Sequence, residues 1–355
     1  GLVISNAQVI YTDPENPDYD DDETWNKFLD QLTVEQLCNT VTDSKSTNTI
    51  STLDVPGNTK GDDDTNAAGG AIQFVSHPLT ARTWNTDMNE KRGLYEGLIC
   101  TLNGKDEIWY GAGNLHRHPY GGRAGQYWSE DATLDYYNGY YEAQAAQSVG
   151  CITCVKHMAC NDQEAKRTGL SVFVDEQALR EIYLRAFEGA FDGGALSVMT
   201  TTGRIGTRLG KNYSALLTTV LRDEWGFQGH VTSDGYVNTG YYNNTLEELE
   251  AGMDYSCCDS AGSNAQRILN AIKAGDGNML KQVRRAAKNN LYVMTKTASM
   301  NGLGNGSAVV AIVPAWEMAV AVTNIVVAVL LAACLIMTVV QTRKNGKTKK
   351  EEIEA

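Results

Sequence analysis

Positive charge is scarce in this sequence: 30 Lys+Arg stand against 43 Asp+Glu, a formal net charge of −13. So acidic a chain lacks the electrostatic footprint for a phosphate backbone, which excludes nucleic acid as a partner. Its 8 cysteines are too few for a disulfide scaffold. Cys151 and Cys154 form a lone C-x-x-C inside a strand-like run, where side chains share a face only at even spacing. No second such pair and no His pair stands at zinc spacing, and Cys257-Cys258 have no evident partner. All the cysteines read as small core residues. A glycine-rich phosphate loop at a helix start is also missing, residues 111–113 being a poor match.

What is present suits an α/β domain. Hydrophobic residues make up 42% of the chain, and 34 glycines allow many tight turns. A length of 355 residues holds one large domain or two small ones. The first residue is Gly rather than Met, which reads as a processed chain or part of a longer one.

Residues 1–24 are acidic and turn-rich, an arm or linker. Phe28, Leu29, Leu32, Leu37 and Val41 then recur at helical spacings, and Thr33 with Gln36 forms a capping box. Past residue 70 short apolar runs alternate with segments of helical period. The strands are predicted at 71–75, 107–110, 151–155, 195–200 and 230–233. The helices are predicted at 85–102, 132–149, 175–192, 214–225, 264–273 and 278–296. Such alternation signals a parallel sheet, either open and doubly wound or closed as a (β/α) barrel.

The polar residues cluster where these strands end. After residue 110 come Asn114, His116, Arg117, Arg123, Tyr127, Glu130 and Asp131. CITCV opens into Lys156-His157, the strand at 195 into Met199-Thr200, and GHVTS into Asp234. Alone, each reads more readily as a strand entering a solvated turn. In a barrel all such ends converge on one face around a single small ligand.

Four segments carry a resemblance. NLHRHPYGGRAGQYWSED, KHMACNDQEAKR, SVFVDEQALREIYLRAFE and LLTTVLRDEWGFQGHVTSD resemble, in family order, the N-terminal barrel domain of the family 3 glycoside hydrolases, over roughly residues 31–299. The resemblance implies a (β/α)8 TIM-like barrel, complete or short of a full set of repeats, and β-glucosidase-like chemistry. It makes Asp234 the nucleophile of a retaining hydrolysis, with a second carboxyl roughly 5 Å away as acid/base. It assigns the binding of sugar hydroxyls to Arg123, Lys156 and His157. It places Arg167 and Met199 on the same pocket, Arg167 holding the nucleophile. A glycosyl-ester route needs no cofactor and no metal. The implied partner is an oligosaccharide or other β-glycoside.

The departures are specific. The family's acid/base residue usually comes from a separate α/β domain, and residues 300–355 cannot form one; it would be supplied from elsewhere. Glu130 and Glu164 fall at positions that are structural in the family. The Asp-Gly-Pro loop is replaced by the acidic 54–70 segment, with Asp62, Asp63 or Asp64 as substitutes. M-T-S-Tyr/Phe-N becomes Met199-Thr200-Thr201-Thr202-Gly203, which loses an aromatic wall. Tyr236 follows Gly235, where an aromatic would directly follow the nucleophile. The Gly-His-Gly-Asp loop of the amino-sugar members is replaced by Cys160-Asn161-Asp162-Gln163-Glu164, against amino-sugar specificity. A carbohydrate-binding pseudoenzyme without turnover is the alternative.

Residues 318–340 differ in kind, an apolar run broken only by Thr323, Asn324 and Thr338 and long enough to span a bilayer. No other run compares in length. Trp316 precedes it as an interfacial anchor, and Arg343, Lys344, Lys347, Lys349 and Lys350 follow it. These flanks argue against a buried core helix. They predict a single pass, with the C-terminus cytoplasmic and residues 1–315 outside. The expected organisation is arm 1–24, barrel 25–299, linker 300–315, transmembrane helix 316–340 and basic tail 341–355.

Overall fold

The strands that carry the site are short, apolar on one face and parallel. The computed structural model describes residues 18–43, 60–61, 74–109, 113–235, 244–257, 262–301 and 315–354. Among them are β1 (Thr42–Asp43), β2 (Lys60–Gly61), β3 (Glu107–Ile108), β4 (Ile152–Met158), β5 (Ser197–Thr200), β6 (His230–Thr232) and β7 (Ser256–Cys257). Parallel pairing runs β2-β3-β4-β5-β6, a Thr232–Tyr255 bridge continues it to β7, and β7 pairs with β1. Helices separate most of these strands, so the chain winds as a TIM-like (β/α) barrel.

The period of two along the strands sorts side chains into two environments. Val155, Val198 and Val231 face outward and pack with Phe187, Leu217 and Leu221 of the helical layer. Cys154 and Met199 form a separate cluster with Trp109, Tyr255 and Cys257. Beside it, Glu107 accepts hydrogen bonds from Ser197 Oγ (2.7 Å) and Trp109 Nε1 (2.9 Å), with His230 Nε2 at 3.3 Å. These groups are fully buried, so the polar contacts tie β3, β5 and β6 together where water cannot compete.

The cysteines follow the same logic. Cys151 packs with Ala81, Cys100 and Trp128, whereas Cys154 sits in the Trp109 cluster, so the C-x-x-C splits between two faces. Cys38, Cys160 and Cys257 are also buried. Cys334 is exposed and corrects the expectation that every cysteine is a core residue; it lies on the C-terminal helix. Cys258 lies outside the described residues.

Helices Thr86–Leu102, Ala132–Gln147 and Arg185–Asp192 pack side by side at very short range. A Cβ on Gly189 would stand 2.2 Å from the Tyr136 carbonyl oxygen, so only glycine fits there. Between the first two helices Glu142 is buried with Arg92 Nε at 3.6 Å, His77 Nε2 at 3.4 Å and the Trp128 N–H donating at 3.2 Å. Burial pushes its carboxyl up to about 7 against the opposing pull of Arg92 and Trp128. The folded chain therefore keeps a proton that the unfolded chain releases near its ordinary value of 4.5, and stability falls as pH rises through that window to about 7. Asp135, raised by burial, slopes the same way. Urea unfolding at successive pH values should show a decline that Glu142→Gln partly flattens; an unchanged slope would contradict it.

The expected capping box is present: Thr33 Oγ1 accepts from Gln36 N (3.2 Å) and Gln36 Oε1 from Thr33 N (2.8 Å). Several elements differ from expectation. The predicted strand at 71–75 is non-strand at Phe74 and Val75, its other residues lying outside the described set. The predicted helix at 175–192 contains a π-helical turn, Leu179–Tyr183, and the one at 214–225 is π-helical over Ala215–Glu224. Helix Thr245–Ala251 and strands β1, β2 and β7 have no counterpart in the periodicity, being too short to show one. Asp62, Asp63, Asp64 and Tyr236 lie outside the described residues.

Residues 308–355 form a second unit. It holds helix Ala315–Glu354, within which Ala315–Gly346 contains an 18-residue window of mean hydropathy 2.7 that is wholly exposed. By length and composition this segment suffices to cross a membrane.

Candidate active site

Strand β4 begins as the apolar run and continues through Lys156 and His157, which are buried despite their polarity. Its register with β5 shifts between Lys156 and Met158, a bulge that leaves His157 as the extra residue and re-aims it. The Asn114 side chain accepts from the His157 backbone N–H at 2.8 Å, fixing the strand end against the preceding loop.

That loop delivers Arg123. His116 N donates to the Ser129 carbonyl (2.9 Å) and His116 Nε2 lies 2.8 Å from the Tyr127 carbonyl, so the segment closes on itself. Gly122 adopts φ +93°, and a Cβ there would meet the Glu164 Cβ at 2.7 Å, which explains the second glycine of Gly-Gly-Arg. Glu164 N donates to the Gly121 carbonyl at 2.9 Å, docking this loop on the one after β4.

Residues that follow or end three of the strands, β3, β4 and β6, gather at Asp234, just past β6. Arg167 Nη1 stands 2.8 Å from Asp234 Oδ2, His157 Nε2 stands 3.6 Å from the same oxygen, and the Gly235 N–H donates to Oδ1 at 2.6 Å. Arg123 Nη1 approaches His157 Nε2 at 3.3 Å and Gln126 Oε1 at 3.1 Å. Glu164 lies between the two arginines, its Oε1 at 2.7 Å from Arg123 Nε and its Oε2 at 3.5 Å from Arg167 Nε. Asn161 adds a hydrogen bond to Glu164 Oε1 at 2.7 Å. Glu164 thus sets the pitch of both guanidinium groups, as an ion-pairing residue would. Glu130, the other carboxylate weighed, is exposed.

Burial and the neighbouring cations Lys156, Arg123 and Arg167 hold the His157 imidazole well below its usual range, so it is neutral. Asp162, on the loop after β4, is pushed up to about 6 by burial, with Arg117 opposing. Lys156 is buried beside Met199 in the β4–β5 register. Met199 itself is 2% exposed among Trp109, Cys154, Tyr255 and Cys257, below the level of the Asp234 cluster in sequence along its strand. Thr200–Gly203, which replaces the aromatic wall, leads into a hairpin of Arg204–Ile205 and Arg208–Leu209 that pairs with Ser171–Val172.

Sequence reasoning brought Arg123, His157, Arg167 and Asp234 to one place, and the structure assembles them. It counted Tyr127 among the strand-end residues without giving it a role, and it did not single out Asn161 for the cluster. Asn161 Nδ2 donates to the Tyr127 hydroxyl at 2.8 Å, and that hydroxyl lies 3.5 Å from His157 Nδ1. No period marks either residue; only their place in loops flanking Arg123 and His157 hinted at it.

The chain is similar to known proteins over the region that carries this site. The family described as glycosyl hydrolase family 3 N terminal domain matches residues 106–289 of the 355. A β-glucosidase of Ruminococcus albus is 33% identical over 249 residues, covering 67% of this chain and 26% of its own. An exo-α-(1→6)-L-arabinopyranosidase of Bifidobacterium breve is 32% identical, covering 69% of this chain and 32% of its own. Among solved structures, β-glucosidase 3B of Thermotoga neapolitana in complex with glycerol superposes with a TM-score of 0.70 at 28% identity, covering 78% of this chain and 43% of that one. The chain thus spans about a quarter to a third of the length of these two curated relatives. With the family match, the relatives and the barrel in agreement, the chain belongs to glycosyl hydrolase family 3, through that family's N-terminal domain.

Proposed function

We propose that this chain supplies the glycone-binding and nucleophilic half of a retaining β-glycosidase, β-glucosidase-like in preference. The observation that carries it is the convergence of Arg167 and His157, from the β4 side, on the Asp234 carboxylate after β6. Asp234 attacks the anomeric carbon, the glycosidic bond breaks, and the sugar remains as an ester on its oxygen. Water then hydrolyses the ester. Arg123, Lys156 and His157 bind the sugar hydroxyls, which selects a ligand carrying those hydroxyls over one that lacks them. Arg167 holds Asp234 in line for attack, and Met199, buried beside Lys156 on the neighbouring strand, backs the pocket from within the barrel. The acid/base carboxyl comes from a further α/β domain, consistent with the relatives being three to four times longer than the matched region. The C-terminal helix anchors the protein in a lipid bilayer, with the barrel extracytoplasmic and the basic tail on the cytoplasmic side.

The test uses a 2-deoxy-2-fluoro-β-glucoside with a dinitrophenolate leaving group. Dinitrophenolate departs without protonation, so a missing acid does not obscure the result. The 2-fluoro group slows hydrolysis, and the ester accumulates. Mass spectrometry of a digest is expected to find the sugar on the peptide containing Asp234. Saturable glucoside binding with no covalent adduct would identify a carbohydrate-binding module instead.

A further inference from the structure

Tyr127 takes no part in the chemistry just described, yet its hydroxyl is the one group against His157 Nδ1 among the recorded hydrogen bonds of the described residues. Around the imidazole, donors and acceptors can be assigned one at a time. A guanidinium only donates, so Arg123 Nη1, 3.3 Å from Nε2, requires Nε2 to accept. The ring is neutral, so its single proton then resides on Nδ1. The Tyr127 hydroxyl accepts from Asn161 Nδ2 at 2.8 Å and donates its own proton to the Asn161 carbonyl at 3.2 Å. One lone pair remains, and His157 Nδ1 stands 3.5 Å away, a long contact but the direction in which that lone pair is available. The two ring nitrogens and the Tyr127 hydroxyl each have a partner of the right kind in this arrangement. With the proton on Nε2 instead, it would point at the Arg123 N–H, and Nδ1 would need a hydroxyl proton that the Asn161 carbonyl already holds.

We infer that Tyr127, clamped by Asn161, is a positioning residue that sets His157 in the Nδ1–H tautomer and keeps Nε2 a hydrogen-bond acceptor at the mouth of the site. The inference rests on the proposed role of His157 in binding a sugar hydroxyl. An accepting Nε2 takes the proton of a ligand hydroxyl while Arg123 donates to that hydroxyl's oxygen, a donor–acceptor pair that fits an alcohol and not an ether. An Nε2–H could not accept that proton, and the donor–acceptor pair with Arg123 would be lost. Free hydroxyls, rather than capped ones, are thus the ligand chemistry that this pair reads.

The full chain, labelled with 15N-histidine, carries 5 histidines, and a His157→Gln sample assigns the one in question. Long-range proton–nitrogen spectra are expected to place the His157 proton on Nδ1. Tyr127→Phe, which removes one oxygen and keeps the ring, is expected to move it to Nε2 and to raise KM for an aryl β-glucoside about tenfold, with a smaller change in kcat. A wild-type proton on Nε2 overturns the inference without any variant. A tautomer unchanged in folded Tyr127→Phe overturns the role of Tyr127. Neither spectrum requires turnover, so failure of the glycosidase reading is seen separately, as absence of the covalent adduct.

Discussion

Asp234→Asn is expected to lower turnover of an activated aryl β-glucoside by at least about 10⁴-fold, with KM changed far less. An amide cannot form the glycosyl ester, while its shape leaves the pocket intact. The expected loss is large because, among the described residues, the neighbouring carboxylate Glu164 is not free to substitute. Glu164 is committed to Arg123 and Arg167 at 2.7 Å and 3.5 Å, and the Asp234 oxygens are the ones that Arg167 and Gly235 hold in place. Thermal unfolding of the variant separates this from misfolding, since the lost ion pair with Arg167 is partly exposed and contributes about 1 kcal/mol or less. Steady-state kinetics on the full polypeptide read the outcome. A variant retaining a tenth of the activity would remove Asp234 from the nucleophile role.

The largest expected effect on stability lies away from the site, at Asp254. Its carboxylate is fully buried and receives Arg222 Nη2, Arg285 Nη1 at 3.3 Å, Asn289 Nδ2 at 2.8 Å and the Val231 backbone N–H at 2.8 Å. These partners belong to β6, the segment preceding it and the helix Gly277–Thr295, so one side chain joins the barrel wall to its outer layer. Asp254→Ala leaves two guanidinium groups and a backbone N–H without their acceptor and is expected to cost about 3–5 kcal/mol. Asp254→Asn keeps the size but not the charge and should fall between that variant and wild type. Urea unfolding at neutral pH measures both. A cost below about 1 kcal/mol for the alanine variant would mean that water replaces the carboxylate, and the joint would be less dry than its geometry implies.

The extent to which this architecture could be read in advance varied with the length of each element. Helix Gly277–Thr295 and strand β4 were legible because an apolar period or run extends over enough residues to stand out. Strands β1, β2 and β7, two residues each, leave no such trace. The end of β4 was placed too early, at residue 155, because Lys156 and His157 break the apolar run. They are nevertheless 3% and 1% exposed, since the barrel mouth buries polar groups against one another. The π-helical turns were also invisible, because a register change of one hydrogen bond leaves the side-chain pattern almost unaltered.

The site divides along the same line. Strand–helix alternation, the residue types at strand ends and the long apolar segment near the C-terminus are local properties, and the sequence by itself determined them. The approach of Arg123, His157, Arg167 and Asp234, the bridging of two arginines by Glu164 and the contact of Tyr127 with the imidazole depend on loops up to 111 positions apart (Arg123 to Asp234) meeting at one barrel rim. Only the tertiary structure decided these. Hydrogen-bond direction and burial, which set the tautomer and charge of a group, are properties of the space around it and have no counterpart along the chain.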